Sequence, residues 1–397
     1  MLRFLTAGES HGQALIGQIE SFPAGLKISI DKINRQLTRR QGGFGRGGRM
    51  KIEHDRARIL SGLRQGITLG SPIAIIIENR DWSNWKKLMD PIRPVSSRLN
   101  ARQKRLANDT TRPRPGHADL SGAVKYDTRD LRNVLERASA RETAARVACG
   151  AIAGQLLEYF DIRMVSHVLS IGRARMKRKK IAFDEIVSKA DRSEVRCVDP
   201  AVSAEMKAEI KAARKNGDTL GGVFEVRISN LPIGLGSMAQ WFTRLDGALA
   251  AAMMSIQSVK GVEIGDGFAS AAKKGSAVHD ALYYKPSGSV RSRGFYRRTN
   301  RAGGIEGGMT NGSELIIRAA CKPIATLMKP LETVDVINKS AARAITERSD
   351  VCVVPAAAVV GEAMMAMVMA SAFTDKFGND SLADIEAAFE AYLKREF

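Results

Sequence analysis

The chain has 397 residues, 44% hydrophobic and 26% charged, a composition ordinary for a soluble globular protein with a sizeable core. Its 62 Lys and Arg against 42 Asp and Glu leave a net charge of +20, which points to polyanionic partners: nucleic acid, an anionic membrane or phosphorylated metabolites. Cys149, Cys197, Cys321 and Cys352 lie far apart with no C-x-x-C pair, which argues against a metal or disulfide framework and suits a reducing compartment.

The N-terminus carries too short an apolar run for a signal peptide and is not an Arg-rich transit segment. Leu2 to Thr6 reads as a strand, followed by Gly8-Glu-Ser-His-Gly12. This matches the G-x-S-x-G nucleophile elbow, but that turn leads into a helix, whereas Ala14 to Phe22 alternates like a second strand. A hydrolase built on Ser10 is therefore disfavoured, and His11 is either a turn residue or a group facing a ligand. Asp31 to Arg40 has helical spacing and ends in Arg39-Arg40-Gln-Gly-Gly43-Phe-Gly45-Arg46-Gly47-Gly48-Arg49. The embedded G-x-G-x-x-G follows a helix and precedes the strand-like Met50 to Glu53, the reverse of a dinucleotide turn. A mobile arginine-bearing loop that folds over an anionic substrate is favoured over a plain surface loop.

Next comes Arg112-Pro-Arg-Pro-Gly-His-Ala-Asp119, in which two prolines stiffen the approach to His117. His117 fits a general acid or base, or a satisfied structural histidine. Asp130 to Phe160 reads as one helix with Arg137 and Arg141 on one face and many alanines elsewhere, which admit another element or a flat ligand. The basic tract Arg173 to Lys180 reads as a solvated loop. The Met-rich stretch Ala356 to Phe373, opened by Pro355, reads as a buried core helix and not a membrane span.

A quiet repeat runs through the chain. Gly8 to Gly12 followed by Pro23-Ala-Gly-Leu26 answers to Gly217-Asp-Thr-Leu-Gly221 followed by Pro232-Ile-Gly-Leu235. Each copy holds a strand, Ala14 to Phe22 or Val223 to Leu231, and is later followed by an Ala-rich helix, Asp130 to Phe160 or Leu245 to Ser258. Two related β/α layers forming pseudo-symmetric halves of one α/β (α+β) domain over 1–397 are expected. Ser10 and His11 become Thr219 and Leu220, so chemistry is expected in the first copy alone.

Together these segments resemble the chorismate synthase family from Phe4 to about Phe377. The stretches that carry the likeness are Gly8–Gly12, Arg39–Glu53, Arg114–Asp119, Ser139–Ala148, Gly303–Gly312, Lys322–Thr326 and Glu347–Asp350. The resemblance implies a β-α-β sandwich, a homotetramer and a flavoprotein lyase of the shikimate pathway, acting in aromatic amino acid biosynthesis in the cytoplasm. The implied reaction is the anti-1,4-elimination of phosphate from 5-enolpyruvylshikimate 3-phosphate. It requires reduced FMN, which lends an electron and takes the C6 proton at N5.

By the same resemblance His11 and His117 are acids, one near the leaving phosphate and one near flavin N1, and Asp350 works with Ser10 at flavin N5. Flavin contacts fall on Ser139, Ala140, Arg141, Gln257, Ser258, Gly307, Lys322, Pro323, Ile324, Ala325, Thr326 and Arg348. Substrate or NADP anions meet Arg40, Arg46, Arg49, Arg114 and Arg141; the nucleotides associated with such chemistry are FMN, FAD and NADP. Ser255-Ile-Gln-Ser258 stands where many relatives have Ser-Ile-Asn-Ala, Arg137-Ala-Ser replaces Arg-Ser-Ser, and Arg348-Ser-Asp350 replaces Arg-His-Asp. An external flavin reductase is the expected source of reduced flavin. Aromatics at 6% with no recognised nucleic-acid motif leave nucleic-acid binding as the weaker alternative.

Overall fold

The computed structural model describes residues 1–48, 53–95, 99–101, 103–104, 110–177, 181–346 and 349–395. The first half supplies β1 (Arg3–Ala7), β2 (Ala14–Glu20), α1 (Ile30–Gln41), β3 (Ala57–Ile59) and β4 (Ile73–Glu78). It continues with α2 (Arg132–Ala138) and α3 (Thr143–Tyr159). The second half supplies β5 (Arg163–Ile171), α4 (Pro200–Lys215), β6 (Gly222–Ser229), α5 (Leu245–Met254) and β7 (Val259–Ile264). After it come β8 (Leu315–Cys321), α6 (Val354–Phe377) and α7 (Leu382–Lys394).

Two antiparallel sheets result, ordered β1-β2-β4-β3 and β7-β8-β6-β5, the second extended by the short strand Ala174–Arg175. Alternation dictates how the first sheet faces: Leu15, Ile19, Ile73, Ile75 and Ile77 turn inward and Ile16 turns out. Against this sheet packs α3, against the other α6, and the two helices pack on each other, which gives a sheet–helix–sheet sandwich. The close crossing needs small residues: a Cβ on Gly150 would lie 2.5 Å from Ala363, and one on Gly17 2.6 Å from the Cys149 sulfur. The alanines of α3 thus admit α6 and β2. The stretch expected to be a core helix is α6, apolar and buried on nearly all sides, with Pro355 in its first turn.

The repeat is structural. Gly25 donates to Thr68 O, Leu26 donates to the Thr68 hydroxyl, and that hydroxyl donates to Pro23 O. In the second copy Gly234, Leu235, Thr310 and Pro232 repeat all three bonds. Gly25 and Gly234 hold φ of +96° and +81°, a region that favours glycine. The helices correspond differently from the sequence expectation, however. The helix that follows the first Pro turn is α1, the partner of α5, while α3 answers to α6 as the layer packed on its own sheet.

The single helix expected over 130–160 is three pieces. Ser139 is extended (φ −64°, ψ 141°) between α2 and a short 3-10 turn at Ala140–Glu142, and its hydroxyl caps the Arg141 amide. The break sends Arg137 and Arg141 to different partners instead of along one face. Arg137 donates to the carbonyls of Thr6 and Gly8, and Arg141 donates to Asp55 and Asn79.

Candidate active site

The Gly8–Gly12 turn joins β1 to β2, and Gly8 (φ +99°) sits where a Cβ would fall 2.3 Å from Ala14 O. Three contacts from α2 fix the turn. The Ser10 amide donates to Glu136 O at 3.0 Å, the His11 amide donates to the Glu136 carboxylate at 2.8 Å, and His11 Nδ1 lies 2.9 Å from Glu136 Oε1. Arg132 reaches the same carboxylate at 3.1 Å. The His11 ring stacks on Trp85 at 3.9 Å, and the Arg132 guanidinium lies over the same indole. Burial opposes a charge on Glu136, but His11 and Arg132 outweigh it and hold its pKa below the usual value.

His117 is held in the same way. Its Nδ1 lies 2.5 Å from Asp119 Oδ1, while Arg114 grips both oxygens of Asp119 at 2.9 and 3.0 Å. Asp119 is fully buried; burial pushes its pKa up, yet the hydrogen bonds from His117 and Arg114 carry it well below the ordinary carboxylate range. An ionised Asp119 therefore accepts, and His117 Nδ1 donates. Each histidine is thus pinned through Nδ1 to a buried carboxylate that an arginine also holds. Sequence reading missed Glu136, Arg132 and Trp85 because they lie far from His11 in the chain. Asp119 was visible only as a neighbour.

Arg40 and Arg141, expected to meet anions, are buried and engaged inward. Arg141 donates to both oxygens of Asp55 at 2.6 Å and to Asn79 at 2.8 and 3.0 Å; Arg40 donates to Thr143 and to Ala140 O, each at 2.9 Å. Asn79 in turn donates to Gly12 O at 2.8 Å, tying this cluster to the His11 turn. Burial first, with help from Arg141 and Arg46 and against Asp55 and Asp350, pulls the Arg40 pKa down to about 9. Arg114, expected on the same grounds, instead holds Asp119 and donates to the Thr326 hydroxyl at 3.0 Å.

The Gly loop expected to be mobile is anchored. Phe44 donates to Glu194 O at 2.7 Å, Val351 donates to Gly45 O at 2.8 Å, and Gly47 donates to Asp350 at 2.6 Å. Arg46 pairs with Asp350 at 2.8 Å. Gly45 (φ +94°) already places an added Cβ 2.9 Å from Ile210. Gly45 and Gly47 serve close approach to 349–352. Arg49, Arg348, the strand-like 50–52 and positions 178–180 of the basic tract lie outside the described residues.

Asp350 and Ser10 do not bond directly: Asp350 meets Arg46 and Gly47, whereas the Ser10 hydroxyl accepts from Ser139 at 3.2 Å. Arg40 feels the Asp350 charge and donates to Ala140 O, next to Ser139 in the chain. The remaining segments converge as well. Gln257 donates to Glu142 at 3.1 Å, the Lys322 amide donates to Ser258 O at 2.8 Å, and the Lys322 ammonium reaches Gly116 O at 3.1 Å. Thr219 of the second copy donates to Ile324 O at 2.8 Å, and the Leu220 amide donates to Val351 O, so the second Gly turn braces this wall. Gly307 stands apart. It sits in the turn between Ile305–Glu306 and Met309–Thr310 at the N-terminal end of α5, and Gln257 follows the other end.

A flavin needs hydrogen-bond donors and acceptors, and this wall offers both. The Gln257 Oε1 is buried and accepts from no described group, the Lys322 ammonium has its pKa lowered by burial and by Lys260, and Ser139 and Thr326 add hydroxyls. The residues present fit the group.

A family model described as chorismate synthase matches residues 2–374. The chain is 54% identical to the chorismate synthase of Symbiobacterium thermophilum over 395 residues, covering 99% of each. It is 53% identical to that of Geobacter sulfurreducens over 396 residues, again 99% of each. A solved structure, described as the crystal structure of chorismate synthase, superposes with a TM-score of 0.77 at 42% identity, covering 99% of this chain and 97% of the other.

Proposed function

The chain belongs to the chorismate synthase family, carbon–oxygen lyases of the shikimate pathway, and we propose that His11 and His117 are the proton carriers of its reaction. That reaction is the anti-1,4-elimination of phosphate from 5-enolpyruvylshikimate 3-phosphate, giving chorismate for aromatic amino acid biosynthesis. The observation that carries the assignment is the repeated arrangement of histidine Nδ1 on a buried carboxylate that an arginine also holds. With Nδ1 committed, proton transfer falls to Nε2 of each ring. A proton delivered to the departing phosphate lowers the cost of its charge.

Reduced FMN, when bound, would supply a transient electron and an acceptor for the C6 proton, with no net oxidation. Ser139, Ala140, Arg141, Gln257, Ser258 and Lys322 to Thr326 form the wall that would hold it, supported by their convergence and by the Gln257 acceptor. Ser10, bonded to Ser139 on that wall, and Asp350, held by Arg46, orient groups there. Arg46 and Arg40 serve substrate or NADP anions, a reading supported by Arg46 pairing with Asp350 on that wall.

A homotetramer is the assembly we infer, and two features support association: Gly307 lies apart from the other flavin-contact positions, and Trp241 and Phe242 near it are 81% and 66% exposed. The chain acts as one domain over 1–397, since one buried core cluster spans both sheets. A separate flavin reductase supplies reduced FMN, because the only G-x-G-x-x-G sits in reversed context. Free, buried cysteines agree with the cytoplasm, and the one described helix long and apolar enough to cross a membrane, α6, is buried.

The test is anaerobic chorismate formation with reduced FMN supplied. His11→Ala and His117→Ala are each expected to slow it by about 10²-fold or more while thermal melts stay near wild type. Unchanged turnover in either variant removes that residue from the mechanism.

A further inference from the structure

Different parts of the chain hold His11 at its edge and on its face. The edge contact is Nδ1 against Glu136 of α2, at 2.9 and 3.0 Å from the two carboxylate oxygens. Such a contact fixes where Nδ1 lies but by itself permits rocking about the Cβ–Cγ bond, a soft torsion in histidine. The face contact is Trp85, whose indole stacks on the imidazole with centroids 3.9 Å apart and planes 21° from parallel. A rocking imidazole would drive one edge into the indole, so the stack opposes the motion that the hydrogen bond permits.

The indole is itself fixed. The chain leaves β4 at Asn79, whose amide donates to Gln13 O and whose side chain donates to Gly12 O, which ties this segment to the His11 turn. The short helix Trp82–Trp85 follows, and Trp85 Nε1 donates to the buried Asp81 carboxylate at 2.9 Å. Arg132, already bonded to Glu136, lies 5.1 Å from the indole centroid. His11, Glu136, Arg132 and Trp85 therefore form a closed cycle of contacts, in which Arg132 joins the support of the edge to the support of the face.

We propose that Trp85 is a positioning residue for the elimination, holding the plane of the imidazole so that His11 Nε2 is aimed for its proton transfer. The proposal rests on the assignment of His11 as a proton carrier. It concerns the aim of a reacting group and not the binding of substrate, so its effect falls on kcat and leaves KM alone.

The test is anaerobic turnover with saturating reduced FMN for Trp85→Leu and Trp85→Phe, each alone and combined with His11→Ala or His117→Ala. Trp85→Leu keeps an apolar side chain but offers no flat face, and is expected to lower kcat about tenfold with KM within about twofold. Trp85→Phe keeps a flat face and is expected to retain kcat within about threefold of wild type. Added to His11→Ala, Trp85→Leu is expected to cost nothing more, whereas its loss persists in full when added to His117→Ala. Trp85→Met, equally without a flat face, takes the place of Trp85→Leu if that variant does not fold. A second readout needs no activity: the His11 ring protons in NMR, assigned by their loss in His11→Ala, are expected to move downfield when Trp85→Leu removes the indole ring current.

Wild-type kcat in Trp85→Leu, a further loss of the same size in the His11→Ala background, Trp85→Phe no faster than Trp85→Leu, or an unmoved His11 resonance each overturns the proposal. If His11→Ala is slow and Trp85→Leu is not, the proposal alone fails. If His11→Ala turns over like wild type while its resonance still responds to Trp85→Leu, the stack stands but the assignment of His11 fails, and the proposal with it.

Discussion

Glu136 and Asp119 hold His11 and His117 through Nδ1, and an arginine grips each carboxylate. Asp119→Asn keeps the shape of the side chain but removes the charge that holds His117 Nδ1 and Arg114. A loss of about tenfold or more in kcat is expected, with KM little changed, since carboxylates that orient an imidazole act on its tautomer and aim. If Asp119 acts through His117, the double variant with His117→Ala is no slower than His117→Ala alone. A multiplicative loss in the double variant would show an independent role. Glu136→Gln is expected to follow the same rule with respect to His11.

At the scale of elements, the anchored Gly loop and the β6 strand each make a claim. The loop 42–48 packs on 349–352 with Gly45 in a left-handed conformation and no room for a Cβ. Gly45→Ala is expected to destabilise the fold by about 1–3 kcal/mol through strain at that position. Limited proteolysis of the wild-type chain without ligands is expected to spare 42–48; rapid cleavage there would restore the closing loop that glycine density suggests.

On β6, Glu225 is buried among His167, Arg227 and Arg318. Burial raises its pKa, but the His167 hydrogen bond and the two arginines bring it down to about 2. A depressed folded pKa adds stability above the unfolded value near 4.5, and that contribution is lost as pH falls toward 2. Glu225→Gln is therefore expected to lower the melting temperature at pH 7 and to flatten the acid limb between about pH 4.5 and 2. An acid limb as steep as wild type would place the titrating group elsewhere.

For the whole molecule, the duplicated turns predict symmetric energetics. Thr68 and Thr310 each bond both sides of their Pro-x-Gly-Leu turn while 2% exposed. Thr68→Val and Thr310→Val each leave buried partners unsatisfied and are expected to cost about 1–3 kcal/mol in urea unfolding. Because they sit in different halves, their effects are expected to add within about 0.5 kcal/mol. A loss at one turn only would mean that the likeness is geometric and not energetic.

The sequence alone determined which segments matter. Gly and Pro positions fix local backbone geometry wherever the chain goes, so the repeat, the Pro turns and the strands β1, β2 and β6 beside them were legible, as was the buried α6. Motif order identified the family and both histidines. Only the tertiary structure decided what holds those histidines, that Arg40, Arg114 and Arg141 turn inward to carboxylates, and that Ser139 splits a helix whose spacing looked continuous. Helical periodicity records burial and not the presence of a cap, so a serine that leaves the helix to meet Ser10 from 129 positions away is invisible to it. The same holds for pairs such as His11 and Glu136, 125 residues apart: their bond exists because two sheets and their helices close around one core, and no local pattern encodes that distance.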